Sequence, residues 1–244
     1  MSNEYRPTGF SFLPVVIKNL LIINGILFLA DMVLARYGTD LSRYLGLHFF
    51  MSSDFYPFQL LTYMFMHGNF THLFFNMFAL WMFGSTLENM WGSKRFLIFY
   101  LLCGLGAGII QELVQYIQLQ CYSYSDEMMN IVVAEGAEVM QAGKQYVNTT
   151  LEALNRIVNT PVVGASGAIY GLLLAFGMMF PDSMIYLYFI VPIKAKWFVI
   201  GYAVIELLTG IFSSGDHVAH FAHLGGMLVG LIIILIWKKK GRLY

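Results

Sequence analysis

Charge is what this sequence most lacks. Only 11% of its 244 residues are Asp, Glu, Lys or Arg, whereas 58% are hydrophobic. A soluble domain usually carries about a quarter charged residues. This chain cannot build a solvated surface from such material and reads as an integral membrane protein. Charge imbalance is absent as well: fourteen basic residues meet fourteen acidic ones. A net charge of zero leaves no electrostatic footprint for nucleic acid, and none is expected as a partner. Cysteine is scarce too. Cys103 and Cys121 are too few for a disulfide framework, and Cys103, inside an apolar run, reads as a small core residue. A cleavable signal peptide is also lacking, because the start "MSNEYRPTGF" is polar and no small-residue cleavage pattern closes the apolar run after it.

What is present is a series of long apolar runs. A spanning helix needs about 20 predominantly apolar residues. Six segments qualify, at about 13–34, 58–83, 96–117, 162–180, 197–212 and 218–237, within one membrane domain covering 1–244. The fifth follows "IVPIKAKW", whose Pro192 breaks an apolar stretch at 184–191 that is too short to cross and is expected near the interface. Residues 118–160 differ: "SDEMMN" and "AEGAEVMQAGKQYVNTTLEALNRIVN" read as an amphipathic extramembrane insertion of one or two helices. The expected fold is therefore an all-α six-helix membrane bundle with an insertion between helices three and four.

Orientation follows from the bias of Lys and Arg toward cytoplasmic loops. With the N-terminus inside, Arg6, Lys18, Lys94, Arg95, Lys194, Lys196, Lys238, Lys239, Lys240 and Arg242 are cytoplasmic, ten against the four outer residues Arg36, Arg43, Lys144 and Arg156. N-in/C-in is the better assignment. It puts the insertion outside and makes every even-numbered span run from the outer face inward. The plasma membrane of a prokaryote is the expected location, since no mitochondrial presequence is visible.

Polar groups inside a bilayer are costly, so each is a functional candidate. Five of the six histidines fall at span starts: His67 and His72 in "MHGNFTHLFFNMF", and His217, His220 and His223 in "DHVAHFAHLGG". Ser166, in "VVGASGAIYG", opens the fourth span. Since those spans all enter from the outer face, Ser166, His72 and His223 are expected at one shallow depth. A serine hydroxyl becomes a nucleophile when a base takes its proton, and histidine titrates in the right range. Gly167 and Gly171 follow Ser166, and Gly226 and Gly230 follow His223. Small-xxx-small faces of this kind let two helix backbones nearly touch. An attacked carbonyl also needs donors for its oxyanion. His72 and Asn76, four residues apart on one helix face, and the Ser166 backbone N–H can supply them.

Taken singly, these residues have plainer readings. Ser166 reads as a packing residue, Asn76 as an interhelical hydrogen bond, and His67, His217 and His220 as structural or interfacial groups. Taken together at one depth, the catalytic reading overtakes these. Glu206 in the fifth span and Asp31 near the outer end of the first have two open readings, hydrogen bonding across helices or substrate gating. Asp216, seven residues before His223 and in the preceding loop, is a poor candidate for a third triad member. A pseudoenzyme that binds membrane helices without cutting them would lack the serine or the histidine, and both are here. A metal site on the His217–His220–His223 ladder finds no carboxylate or cysteine on its own helix and no HExxH.

These residues also carry a family resemblance. "GASGAIYG" resembles the GxSGxxYG signature of the rhomboid intramembrane serine proteases, "HLFFN" their HxxxN, and "AHLGG" their AHxxG. "GSTLENMWG", with Gly84, Glu88 and Gly92, resembles their GxxxExxxG at the inner end of helix two. The resemblance implies a Ser166–His223 dyad, an oxyanion hole from His72, Asn76 and the Ser166 amide, and Tyr170 packed on the His223 ring, with Gly164 and Gly167 supporting. It implies single-span membrane proteins as substrates, cut within or beside the lipid bilayer at small residues, with no metal or organic cofactor. It also implies a first outer loop, about 37–56, lying partly in the membrane. Where many members carry a Trp-Arg pair, this chain offers Phe58 and Gln59. The substrate, the oligomeric state and the purpose of the insertion are not legible.

Overall fold

The computed structural model describes residues 10–187, 190–212 and 219–241. Its first helix, α1 (Val15–Ala35), starts after Pro14, which has no side chain able to cap it. The cap comes from elsewhere: Glu88 accepts the Val16 and Ile17 backbone N–H groups at 2.9 Å each. At the far end of α1, Asp31 accepts the Leu41 N–H at 2.9 Å, tying the helix to α2 (Leu41–Leu45). The loop that follows is organised by Gln59, the fully buried first residue of α3 (Gln59–Thr62). Its amide donates to the carbonyls of Tyr44 and Asp54 and accepts from the N–H groups of His48 and Tyr56.

The second apolar run is not one helix. A 3-10 turn at Tyr63–Phe65 ends α3, and α4 (Phe70–Trp91) begins only after Asn69, whose side chain accepts the His72 N–H at 2.8 Å. The helix expected at 58–83 thus runs from 70 to 91 instead, because Asn69 is a good N-cap and starts it there. Next come α5 (Ser93–Gln120), then the insertion as two helices, α6 (Asp126–Gln141) and α7 (Thr149–Asn159), capped by Ser125 and Asn148. The insertion has its own core of Leu119, Met129, Val132, Leu154 and Val158, closed by Phe49 from the first loop. Asn159 fixes that seam, donating to the Val132 carbonyl at 2.9 Å and accepting from the Ser52 hydroxyl at 3.1 Å.

The fourth run also begins later than its hydrophobicity suggests. Val162 pairs with Leu47 as an isolated β-bridge, so the chain stays extended until α8 (Ser166–Met179). A hairpin, β1 (Met184–Leu187) and β2 (Val191–Lys194), occupies the stretch expected near the interface, of which 188–189 lie outside the described residues. Pro192 falls in β2, and α9 (Ala195–Phe212) and α10 (His220–Lys239) complete the chain. Among the described residues, α1, α5, α9 and α10 are long and apolar enough to cross a membrane, while α8 is apolar but shorter.

The middle of the bundle is α5, α8 and α10. Close approach there depends on missing Cβ atoms. A Cβ on Gly226 would collide with the backbone carbonyl of Gly167, and one on Gly171 would lie 2.6 Å from the Cys103 sulfur. Cys103 is fully buried, in keeping with a core role.

Candidate active site

Three helix N-termini converge on one cavity. α4 brings His72 in its first turn, α8 begins at Ser166, and α10 carries His223 in its first turn. The first backbone N–H groups of a helix have no acceptor within it, and the helix dipole is positive at that end. Three such ends make the backbone around the site electropositive before any side chain is counted. α8 has 14 residues, which at 1.5 Å each gives about 21 Å against a hydrocarbon core of about 30 Å.

The Ser166 hydroxyl lies 2.8 Å from Nε2 of His223, a residue 57 positions away. The backbone contact of Gly167 with Gly226 is what allows it. Tyr170, one helical turn after Ser166, stacks flat on the His223 imidazole with centroids 4.2 Å apart and planes 5° from parallel. Gly164 holds a backbone φ of +127°, and a Cβ there would lie 2.8 Å from the His72 ring. Glycine is thus required twice at this position, for its conformation and for the space that His72 fills. His67, in the loop before α4, packs edge-on against His72 at 5.1 Å. Asn76 is buried, and its amide nitrogen has no hydrogen-bond partner. His72, Asn76, Ser166, His220 and His223 all line one cavity of about 1520 Å³, which extends to Tyr146, Glu152 and Arg156 of the insertion.

The chemistry available is nucleophilic. A hydroxyl in hydrogen-bond reach of an imidazole can lose its proton as it attacks. Unused donors on the opposite wall can meet the oxygen of the attacked group. The residues read from the sequence as a site are brought to one cavity, with Tyr170 behind the histidine and Gly164 behind His72. His217 and Asp216 lie outside the described residues.

The Rhomboid domain family matches residues 54–240. The chain belongs to the rhomboid family. It is 26% identical over 187 residues to Rhomboid protease AarA of Providencia stuartii, covering 71% of this chain and 53% of that protein. RHOMBOID-like protein 12, mitochondrial, of Arabidopsis thaliana is 27% identical over 188 residues, covering 75% and 47%. Rhomboid protein 1, mitochondrial, of Saccharomyces cerevisiae is 27% identical over 169 residues, covering 69% and 38%. The chain spans about half or less of the length of these relatives.

Within that rhomboid frame, the GxxxExxxG segment joins helices at the end of the bundle away from Ser166. Glu88 caps α1, and a Cβ on Gly84 would lie 2.5 Å from the Ile17 methyl. The residue that sequence reasoning left without a role is Glu206. Its carboxylate, carried by α9, faces three partners at once: the Tyr170 hydroxyl, Nδ1 of His220 at 2.6 Å and Nδ1 of His223 at 3.0 Å. Besides the Tyr170 ring, His223 thus has a carboxylate beside its Nδ1. The signal was there, because an ionisable residue in a span is a functional candidate by default, but nothing local in the sequence names its partner.

Proposed function

We propose that this chain is an intramembrane serine endopeptidase that cuts transmembrane segments of single-span membrane proteins. Ser166 is the nucleophile and His223 the general base. The observation that carries this reading is the 2.8 Å approach of Ser166 Oγ to His223 Nε2 across two helices. His72, Asn76 and the Ser166 N–H form the oxyanion hole, supported by the unpartnered Asn76 amide and by the glycine that seats His72. Tyr170 and the small residues Gly164 and Gly167 hold the geometry.

The same reading takes the chain as one domain with six spans, N-in/C-in. α4 and α8 complete the set begun by the four long apolar helices, and the insertion sits outside over the cavity mouth. Water then reaches the acyl-enzyme from the outer side. The relatives include bacterial and mitochondrial proteins; the plasma membrane of a prokaryote is our assignment for this chain.

In the reaction, Ser166 Oγ attacks the scissile carbonyl and its proton passes to His223 Nε2. The carbonyl π electrons move onto oxygen, which the three donors hold. Collapse breaks the C–N bond as Nε2 returns the proton to the leaving nitrogen, and water repeats the sequence to release the acyl group. The test is labelling of the detergent-purified protein by a fluorophosphonate, comparing wild type with Ser166→Ala and His223→Ala. Labelling is expected only in the wild type. Labelling that persists in Ser166→Ala would overturn the assignment.

A further inference from the structure

Glu206 is 6% exposed and is the only buried side chain of α9 beyond Val199. Its surroundings are unusual for a carboxylate inside an apolar helix. The Tyr170 O–H donates to one oxygen and His220 Nδ1 to the other, while Nδ1 of His223 lies 3.0 Å from that second oxygen. A carboxylate can only accept, so Nδ1 of His220 carries the proton, and on His223 the carboxylate favours the Nδ1–H tautomer. For His223 that tautomer leaves the Nε2 lone pair free, and Nε2 is the nitrogen that faces Ser166. The Nδ1 approach to Glu206 is close but off the best hydrogen-bond direction in the resting arrangement. Hydrogen bonds of this kind often tighten only when the reacting complex forms.

We propose that Glu206 is the positioning carboxylate of a three-residue Ser166–His223–Glu206 relay, an inference that rests on the protease reading above. It selects the reactive tautomer of His223 and opposes the positive charge that the ring gains. When Ser166 Oγ bonds to the carbonyl carbon, its proton goes to Nε2 and the ring becomes an imidazolium. The Nδ1 proton stays on nitrogen while Glu206 stabilises the cation. Tyr170 has two duties in this arrangement: its ring backs the imidazole, and its hydroxyl fixes the Glu206 oxygen not used by the histidines. His220 supplies a second donor, with the Thr209 hydroxyl 3.1 Å from its Nδ1. Unlike the nucleophile and base, which come from α8 and α10, the orienting group comes from α9.

The same three side chains, Glu206, His220 and His223, place one ligand atom each within 4.8 Å of one another, and two histidines with a glutamate make a zinc-type donor set. The two uses of the cluster are exclusive at His223, since a metal on Nδ1 would displace the proton that the relay needs. The experiment separates them. The rate of fluorophosphonate labelling is measured against probe concentration in wild type, Glu206→Gln and Glu206→Asp, with and without EDTA. Glu206→Gln keeps the shape but offers an N–H toward His223. It is expected to lower the limiting rate on the order of 10³-fold while leaving the half-saturating concentration within about twofold. Glu206→Asp retains a carboxylate and is expected to label at least about tenfold faster than Glu206→Gln.

A Glu206→Gln rate within about threefold of wild type would overturn the relay, as would equal losses in the two variants. Should Glu206→Gln fail to fold, Glu206→Asp decides: a changed half-saturation with an unchanged limiting rate overturns the proposal. Wild-type labelling lost in EDTA and restored by zinc alone would assign the cluster to a metal instead. A wild type that does not label at Ser166 at all would sink the protease reading, which is a separate failure.

Discussion

Among the described residues the bundle has two buried glutamates, one near each end, and they are used differently. Glu88 lies near the C-terminal end of α4, 3% exposed, and accepts from the Val16 and Ile17 N–H groups and from the Ser93 hydroxyl at 2.6 Å. Those donors keep their protons under all ordinary conditions, so Glu88 works as a clamp joining the starts of α1 and α5 to α4. Glu206 lies at the end where Ser166 sits, and two of its three partners are imidazoles, a group that can both take and give a proton. The residue type is the same and so is the burial. What separates a clamp from a chemical group is whether its partners can exchange protons.

The largest expected effect breaks this comparison in both directions. Glu206→Gln should slow labelling on the order of 10³-fold, and because it also weakens buried charge-assisted bonds its thermal transition should fall as well. Glu88→Gln should lower stability alone. It weakens charge-assisted bonds to two backbone donors, for a loss of about 2 kcal/mol, seen as a thermal transition lowered by roughly 4–8 °C. Its labelling rate should stay within about threefold of wild type. Thermal unfolding in detergent, run beside the labelling kinetics, reads both. If Glu88→Gln slows the chemistry as much as Glu206→Gln does, the contrast between the two glutamates is wrong.

A second tier of effects sharpens the site side of the comparison. Removing one oxyanion donor from a serine protease costs about 10²-fold in turnover or more. His72→Ala and Asn76→Ala should each lower the limiting hydrolysis rate of a transmembrane substrate by about 10²-fold. Their effect on half-saturation should be slight, because the oxyanion exists only in the transition state. Equal losses in binding and turnover would place these residues in substrate recognition instead. Gly164→Ala acts one step further out. The new methyl meets the His72 ring, and the φ of +127° becomes strained, at about 1–3 kcal/mol. Turnover should fall about tenfold with Ser166 still reactive toward the fluorophosphonate. A Gly164→Ala protein with wild-type turnover would mean that His72 is free to shift.

How far the sequence anticipated this site depends on the kind of signal each residue gives. Ser166, His72 and His223 were legible because small residues and histidines at span starts are rare enough to stand out in an apolar chain. The boundaries were less so. Val162 and Val163 look like helix, yet Val162 is held as a β-bridge to Leu47, a pairing that hydropathy cannot see. Phe58 to Met66 extend the apolar run of α4, but the cap at Asn69 stops the helix there. Gln59, aligned with a family position that many members fill with Arg, proved to be the hub of the first loop. Asp31 resolved to the first of its two readings in part, as a hydrogen bond to the Leu41 backbone. Glu206 needed three helices to be placed before its partners could be named.

The smallest effect lies at the end of the bundle away from Ser166, and it checks that surface charge there has no bearing on the chemistry. Asp182, between α8 and β1, accepts from Lys196 at 2.9 Å and Lys194 at 3.1 Å. Those ammonium groups, Lys196 first, hold its carboxyl below the ordinary value of 3.8. A carboxyl depressed in the folded state binds fewer protons there than in the unfolded chain. Its stabilising contribution is therefore complete above pH about 4 and is lost as pH falls through the folded value. The group is open to solvent, so screening keeps the contribution small. Wild type and Asp182→Asn should differ slightly in thermal transition at pH 6, with the wild type higher. The difference should narrow as pH falls below about 4 and shrink in high salt. Labelling rates at pH 6 should coincide. A difference in labelling as large as that of Gly164→Ala would connect this lysine-rich turn to the site through α8, and the separation between the two ends would fail.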